Sequence, residues 1–104
     1  MDYYFNLNSG HRMPCLGLGL NKVTGPGEAQ RVIADAAAIG YRLFDTASAF
    51  KNEVDVGEGI RNCGVPREEL FVTTKIWNTA QRIGNVEEAF SRSLERLGLD
   101  YVDL

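Results

Sequence analysis

Apolar residues recur along this chain in a repeating order: a short apolar run, a turn, and then a segment with apolar residues at helical spacing. The first run is LGLGL, Leu16 to Leu20, and the helix breakers Gly25, Pro26 and Gly27 follow it. The next segment, EAQRVIADAAAIG, predicts a helix that stops at Gly40. Its apolar face consists of Ala29, Val32, Ile33, Ala36 and Ala37.

The second unit has the same order. YRLFDTA, residues 41–47, predicts a strand, and Glu53 to Asn62 predicts a helix. The apolar stripe of this helix consists of Val56, Ile60 and Cys63. Gly57 and Gly59 weaken the helix by about 1 kcal/mol each relative to alanine, and close helix packing is their simplest explanation.

The third unit contains the clearest helix signal. LFVTTKIW, residues 70–77, is rich in β-branched and aromatic residues and predicts a strand. Asn85 is predicted to cap the following helix, with Glu88 completing a capping box, and Gly98 ends it. The apolar stripe consists of Val86, Ala89, Phe90, Leu94 and Leu97. YVDL, residues 101–104, begins a fourth strand.

These units predict an α/β fold. FNLN and HRMP flank Ser9-Gly10 and predict an N-terminal β-hairpin, in which Pro14 limits the pairing of the second strand. Strands that alternate with helices of this length pair in parallel with right-handed crossovers. Periodicity leaves two architectures open, a small open sheet or part of a (β/α)₈ barrel. No linker or charge block divides residues 1–104, so we expect a single small unit.

Polar residues follow the apolar parts of the predicted strands, where both architectures bind ligands. Asp45 follows Leu43-Phe44, and Lys75 follows Val72-Thr73-Thr74, so we expect their charged atoms to lie within about 4 Å. Such a pair either closes the mouth of the sheet or shifts the pKa of a third group beside it. Trp77 is either a pocket wall or a core residue. Gly17-Leu18-Gly19 lacks the third glycine of a dinucleotide fingerprint.

Composition narrows the range of partners. The net charge of −3 offers little to neutralise the phosphates of nucleic acid or the charge of an anionic membrane. No apolar run approaches the ~18 residues of a membrane span, and no signal peptide is visible, so the cytoplasm is the expected location. Cys15 and Cys63 are expected to be small buried side chains that stay reduced. His11 is the sole histidine, and no Cys or His pair has ligand spacing, so no metal site is predicted.

Four stretches together resemble the N-terminal part of the aldo-keto reductases. They are LNSGHRMPCLGLG, GYRLFDTAS followed by NE, GVPREELFVTTKIWN, and SLERLGLDYVDL. They occur in the family's order and roughly its spacing, and they cover essentially the whole chain. The resemblance implies a partial (β/α)₈ TIM barrel: an N-terminal β-hairpin and about three and a half β/α units, roughly a third of a full member.

The resemblance also implies NADPH-dependent reduction of aldehydes and ketones to alcohols. The family uses an Asp, Tyr, Lys and His tetrad, in which the tyrosine gives its proton to the carbonyl oxygen as hydride arrives. Asp45 and Lys75 match the aspartate and the lysine, and Phe50 stands at the position of the tyrosine. The family's histidine normally lies a few residues beyond DYVDL. By the same resemblance, Asp45, Gly19 and Leu20 would contact the cofactor, and Asn21 and Trp77 would line the substrate pocket.

The departures from the family pattern leave other interpretations open. Phe50 keeps the ring and loses the proton donor, and Leu20 and Asn21 replace a threonine and an aromatic residue. The chain alone is therefore expected to be inactive or nearly so. The alternatives are a non-catalytic homologue that acts as a binding or assembly module, and an excised barrel fragment. Open sheet edges would also favour association between copies.

Overall fold

A computed structural model of the chain describes residues 3–104. Strands β1 (Tyr4–Asn6) and β2 (Arg12–Pro14) form the predicted antiparallel hairpin. The remaining strands are β3 (Gly17–Gly19), β4 (Leu43–Asp45) and β5 (Phe71–Thr73). They form a three-stranded parallel sheet in chain order.

Helices α1 (Glu28–Ala38), α2 (Glu53–Asn62) and α4 (Val86–Leu97) correspond to the three predicted helices, and α2 has the predicted bounds. Helix α3 (Asn78–Arg82) is a short helix that the apolar pattern does not predict, and strand β5 is shorter than the predicted strand of residues 70–77. Side chains of alternate strand residues, such as Phe44 and Val72, pack against the helices in one buried cluster. Ile33 and Leu97 belong to the same cluster.

Residues 101–104, predicted to begin a fourth strand, make the first hydrogen bonds of such a strand with β5. Leu104 N donates to Val72 O at 3.3 Å, and Thr74 N donates to Leu104 O at 3.0 Å. This is the hydrogen-bond pattern of a parallel pair in which Leu104 lies opposite Thr73. Residues 101–104 therefore lie beside β5 without forming a full strand.

The capping prediction for α4 is wrong. Asn85 makes no side-chain cap hydrogen bond, because its backbone (φ −93°, ψ 36°) is not in the extended conformation that lets a cap side chain reach back. Glu88 instead pairs with Arg92 one turn later. The predicted stripe of α4 is also only partly buried: Leu97 is fully buried, whereas Val86 and Phe90 are exposed.

The two cysteines are free, and they differ in exposure. Cys63 is half-buried, but Cys15 is exposed, so the expectation of a buried side chain is wrong for Cys15. Cys15 lies in the turn between β2 and β3, where its backbone N–H donates to Tyr3 O at 3.0 Å. This bond fixes the backbone and leaves the side chain outside the core.

Close packing of α2 on α4 explains Gly57. A Cβ atom on Gly57 would lie 1.9 Å from Leu97 O, a backbone atom that cannot move without shifting α4. At Gly59 an added Cβ would lie 2.9 Å from Ile33 Cδ1, the flexible end of a side chain, and 3.2 Å from the backbone atom Gln30 Cα. The interpretation of both glycines as close-packing residues is confirmed.

We expect Gly57→Ala to destabilise the chain by about 1–3 kcal/mol, because overpacking outweighs the gain in helix propensity. Gly59→Ala is the matched control: it brings the same propensity gain and should cost less, since its closest neighbour is a side-chain end that can shift and its nearest backbone atom is 3.2 Å away rather than 1.9 Å. Urea unfolding of both variants measures the difference. A Gly57→Ala chain as stable as the parent would contradict the packing argument.

Candidate functional site

The register of the parallel sheet places one row of residues at the carboxyl end of its strands. Gly19 lies beside Asp45, and Asp45 lies beside Thr73. Because side chains alternate along a strand, this row faces away from the helices that cover Phe44 and Val72. A Cβ built on Gly19 would meet no atom within 4 Å, so the space in front of it is open.

The predicted pairing of Asp45 with Lys75 is confirmed. Lys75 Nζ lies 2.7 Å from Asp45 Oδ1 and donates a second hydrogen bond to Thr46 O at 3.1 Å. The Thr73 hydroxyl donates to the same Asp45 oxygen. The Lys75 side chain is 56% exposed and that of Asp45 34% exposed, so the pair remains accessible to a ligand.

Phe50 lies beside this pair. It ends a 3₁₀ turn, Ser48–Phe50, and its ring centroid is 5.2 Å from Lys75 Nζ, within the range of a cation–π contact. The backbone N–H and the hydroxyl of Ser48 both donate to Lys75 O at 3.1 Å. The turn that carries Phe50 is thus tied to the backbone of the lysine.

The residues after β3 differ in position. Leu20 is fully buried in the core, and its backbone N–H donates to Asp45 O at 2.9 Å. The side chain of Leu20 therefore does not reach the open face, and its backbone is the part that lies beside Asp45. Asn21 is exposed.

Trp77 is 55% exposed and forms a wall of a cavity of about 800 Å³. Lys51, Val54 and Arg96 also line this cavity, which lies beside the start of α2. Asp45 and Lys75 do not line it. Among the described residues, Trp77 is thus a pocket residue. The pocket is lined by Ala49 and Lys51, the sequence neighbours of Phe50, and it is separate from the Asp45–Lys75 pair.

Two buried polar residues, Asn52 and Glu53, lie at the start of α2. Asn52 Nδ2 donates to Leu20 O at 2.8 Å and to Val23 O at 3.0 Å, and Asn52 Oδ1 accepts from the Thr46 hydroxyl at 2.7 Å. Asn52 thereby joins the loops that follow β3 and β4. Glu53 is buried against Arg96 of α4. The pair NE belongs to one of the stretches that resemble the family, but no local pattern marks either residue as buried.

Within residues 3–104, no three His, Cys, Asp or Glu side chains are grouped so that they could hold a metal ion. None of the helices described is long and apolar enough to cross a membrane.

Comparison with known proteins identifies the family. The sequence model of the aldo/keto reductase family matches residues 15–104. The chain belongs to this family. It is 54% identical over 99 residues to the morphine 6-dehydrogenase of Pseudomonas putida, covering 95% of this chain and 33% of that enzyme. It is 50% identical over 98 residues to the glyoxal reductase of Bacillus subtilis, covering 94% and 36%.

A solved structure extends the comparison to the fold. The aldo-keto reductase of Bombyx mori in complex with NADP matches with a TM-score of 0.86 at 38% identity, covering 96% of this chain and 36% of that one. The fold of this aldo-keto reductase chain is therefore a partial (β/α)₈ barrel, which decides between the two architectures left open by periodicity. The chain spans about a third of the length of the relatives it matches.

We expect Lys75→Met to change the free energy of unfolding by less than about 1 kcal/mol, because exposed ion pairs contribute little. The comparison is Arg67→Met. Arg67 donates to Leu70 O, Tyr101 O and Asp103 Oδ2 and stacks on the Tyr101 ring at 4.1 Å. That variant should lose about 1.5–3 kcal/mol. Equal losses in urea unfolding would show that the Asp45–Lys75 pair is a structural support.

Proposed function

We propose that residues 1–104 form the N-terminal unit of a site for NADPH-dependent reduction of small aldehydes and ketones, and that this unit lacks the proton donor of the reaction. The observation that carries the proposal is the Asp45–Lys75 pair, 2.7 Å apart, with the Phe50 ring 5.2 Å from the ammonium. The names of the relatives, a dehydrogenase and a reductase, support an oxidoreductase.

The open face fits a nicotinamide cofactor. Gly19 leaves free space in front of the sheet, and Asp45 beside it is partly exposed. Gly19, Asp45 and the backbone of Leu20 are the groups of this chain that would hold the cofactor, whose chemistry when bound is hydride transfer to the carbonyl carbon. The NADP in the Bombyx mori structure supports this choice of cofactor.

The residues of the chain provide the electrostatics for a proton transfer. A phenol has an ordinary pKa of about 10, so a nearby ammonium that stabilises the phenolate makes a tyrosine a better acid near neutral pH. Asp45 holds the Lys75 ammonium through one of its oxygens. With phenylalanine at position 50, no proton is available at that ring.

A second function is favoured by Phe50 itself: a non-catalytic member that binds or assembles without turnover. Leu20, whose side chain is buried, and Asn21 support this alternative, since they stand where the family has pocket residues. A hydroxyl restored at position 50 should raise the rate of carbonyl reduction under the first function and should produce no activity under the second.

A chimera tests the proposal. Residues 1–104 replace the equivalent N-terminal third of the Bacillus subtilis glyoxal reductase, with Phe50 in one form and Phe50→Tyr in the other. We expect Phe50→Tyr to raise kcat for a small aldehyde by about 10²–10⁴-fold, the usual contribution of a general acid. NADPH absorbance measures the rate, and circular dichroism confirms that both forms fold.

Adding Lys75→Met to the Phe50→Tyr chimera is the matched control and should remove most of that gain. A Phe50 chimera as active as the Phe50→Tyr form would contradict the role given to this position. Two inactive, folded chimeras would favour the non-catalytic function. The 104-residue chain by itself should not turn over with either residue, since His11, its one histidine, lies in the hairpin turn.

The partner proposal concerns the edges of the sheet. Among the described residues, no strand pairs with the outer edge of β3, and residues 101–104 leave a second edge beyond β5. Unpaired strand edges are templates for further strands. We propose that further strands pair with these edges, and that in the purified chain a second copy supplies those strands.

We therefore expect the purified 104-residue chain to form dimers or larger species at micromolar concentration. Light scattering measures the mass of the species in solution. The physical reason is the unpaired N–H and C=O groups of the edges, which an edge-to-edge pair satisfies. A compact monomer that unfolds cooperatively would contradict the proposal.

A further inference from the structure

Lys75 lies two residues beyond the end of its strand. Strand β5 ends at Thr73, and two backbone bonds guide the chain beyond it: Thr74 N donates to Leu104 O at 3.0 Å, and Lys75 O accepts from Ser48 N at 3.1 Å. The ammonium of Lys75 lies 2.7 Å from Asp45, although its side chain is more than half exposed. Side-chain contacts add to the backbone bonds in holding this segment.

Thr74 makes such a contact on the side opposite to Asp45. Its hydroxyl donates to Glu53 Oε2 at 2.7 Å. Side chains alternate in an extended chain, so Thr74 faces the helices while Lys75 faces the open row. The bond from Thr74 to α2 thus anchors, from the helix side, the backbone from which the Lys75 side chain extends.

Glu53 is a firm anchor for that bond. Its side chain is 1% exposed, and its Oε1 accepts from Arg96 Nε at 2.8 Å and from the Ser93 hydroxyl at 3.3 Å. All of its partners are donors, so both oxygens of the carboxylate are satisfied. The residue also lies in the first turn of α2, where the helix dipole favours a negative charge.

The same residue is linked to the other side of the site. Glu53 begins the helix that follows the Ser48–Phe50 turn, and the Ser48 hydroxyl bonds the Lys75 carbonyl from that turn. The segment of Thr74 and Lys75 is thereby tied both to the turn before α2, through Lys75 O, and to the first residue of α2, through the Thr74 hydroxyl.

We propose that Glu53 is a positioning residue of the carbonyl-reducing site: through Thr74 it sets the distance of the Lys75 ammonium from Asp45 and from the ring at position 50. The catalytic part of this proposal rests on the function proposed above. The positioning of Lys75 by Glu53 and Thr74 concerns the residues of this chain alone.

The test uses the nuclear Overhauser effect between the Lys75 Hε protons and the Phe50 ring in the 104-residue chain. Thr74→Val has nearly the shape of threonine and removes the hydroxyl, and we expect it to lose most of that signal. Thr74→Ser retains the hydroxyl and should keep the signal. Ser93→Ala removes the other hydroxyl on Glu53 and should lower the melting temperature without moving Lys75.

An unchanged Lys75–Phe50 signal in folded Thr74→Val would overturn the proposal, as would an equal loss in Ser93→Ala. Should Thr74→Val not fold, Glu53→Gln is the second variant. It keeps the size of the side chain but removes the negative charge that accepts from Thr74, Ser93 and Arg96. It should therefore also lose the signal.

The Phe50→Tyr chimera supplies the kinetic readout. There Thr74→Val should lower kcat by about 10- to 100-fold, as expected for a misplacement near 1 Å, with KM little changed and with recovery in Thr74→Ser. If every chimera is inactive while the signals of the chain change as expected, the proposed function fails and the positioning role stands. If kcat is unchanged in an active Thr74→Val chimera, the positioning role fails.

Discussion

The in-register row of the parallel sheet is the constraint on which the site depends. Asp45 stands beside Gly19 on one strand and Thr73 on the other, and the two-residue period turns the flanking Phe44 and Val72 toward the helices. A shift of one residue in the register would place the carboxylate in the apolar core. The burial of Phe44 and Val72 therefore fixes the direction of Asp45, and the stability of the core and the placement of the charge have one cause.

Loop contacts extend this order beyond the strands, each through a buried polar side chain that joins segments distant in sequence. Asn52 binds the carbonyls that follow β3 and the hydroxyl that follows β4, while Glu53 binds the segment after β5. Burying these polar side chains costs free energy unless each of their polar atoms has a hydrogen-bond partner. The start of α2 therefore connects the ends of all three strands: when Asn52 and Glu53 make their hydrogen bonds, the segments that follow β3, β4 and β5 are held in defined positions.

The sequence predicts the parts of this structure that depend on local periodicity. The bounds of α2, the parallel pairing of the strands and the closeness of Asp45 to Lys75 follow from apolar spacing and from the rule that parallel strands end at one edge. The failures involve information that is not local. The Asn85 cap depends on the backbone angles of a residue whose N–H donates to Ala80 O of α3, the exposure of Cys15 depends on a turn beside the hairpin, and the burial of Glu53 depends on Arg96, 43 residues away. The choice of a barrel needed the family resemblance.

The local contacts explain how the chain tolerates phenylalanine at position 50. Asp45 accepts from Thr73 and Lys75, and Lys75 donates to Thr46 O and lies over the Phe50 ring. The absence of a hydroxyl thus leaves neither charge without a partner, and the ring keeps its contact with the ammonium. Catalysis and stability are separable at this position: a proton donor can be absent with little cost to the fold, whereas the carboxylate and ammonium that would tune it remain paired.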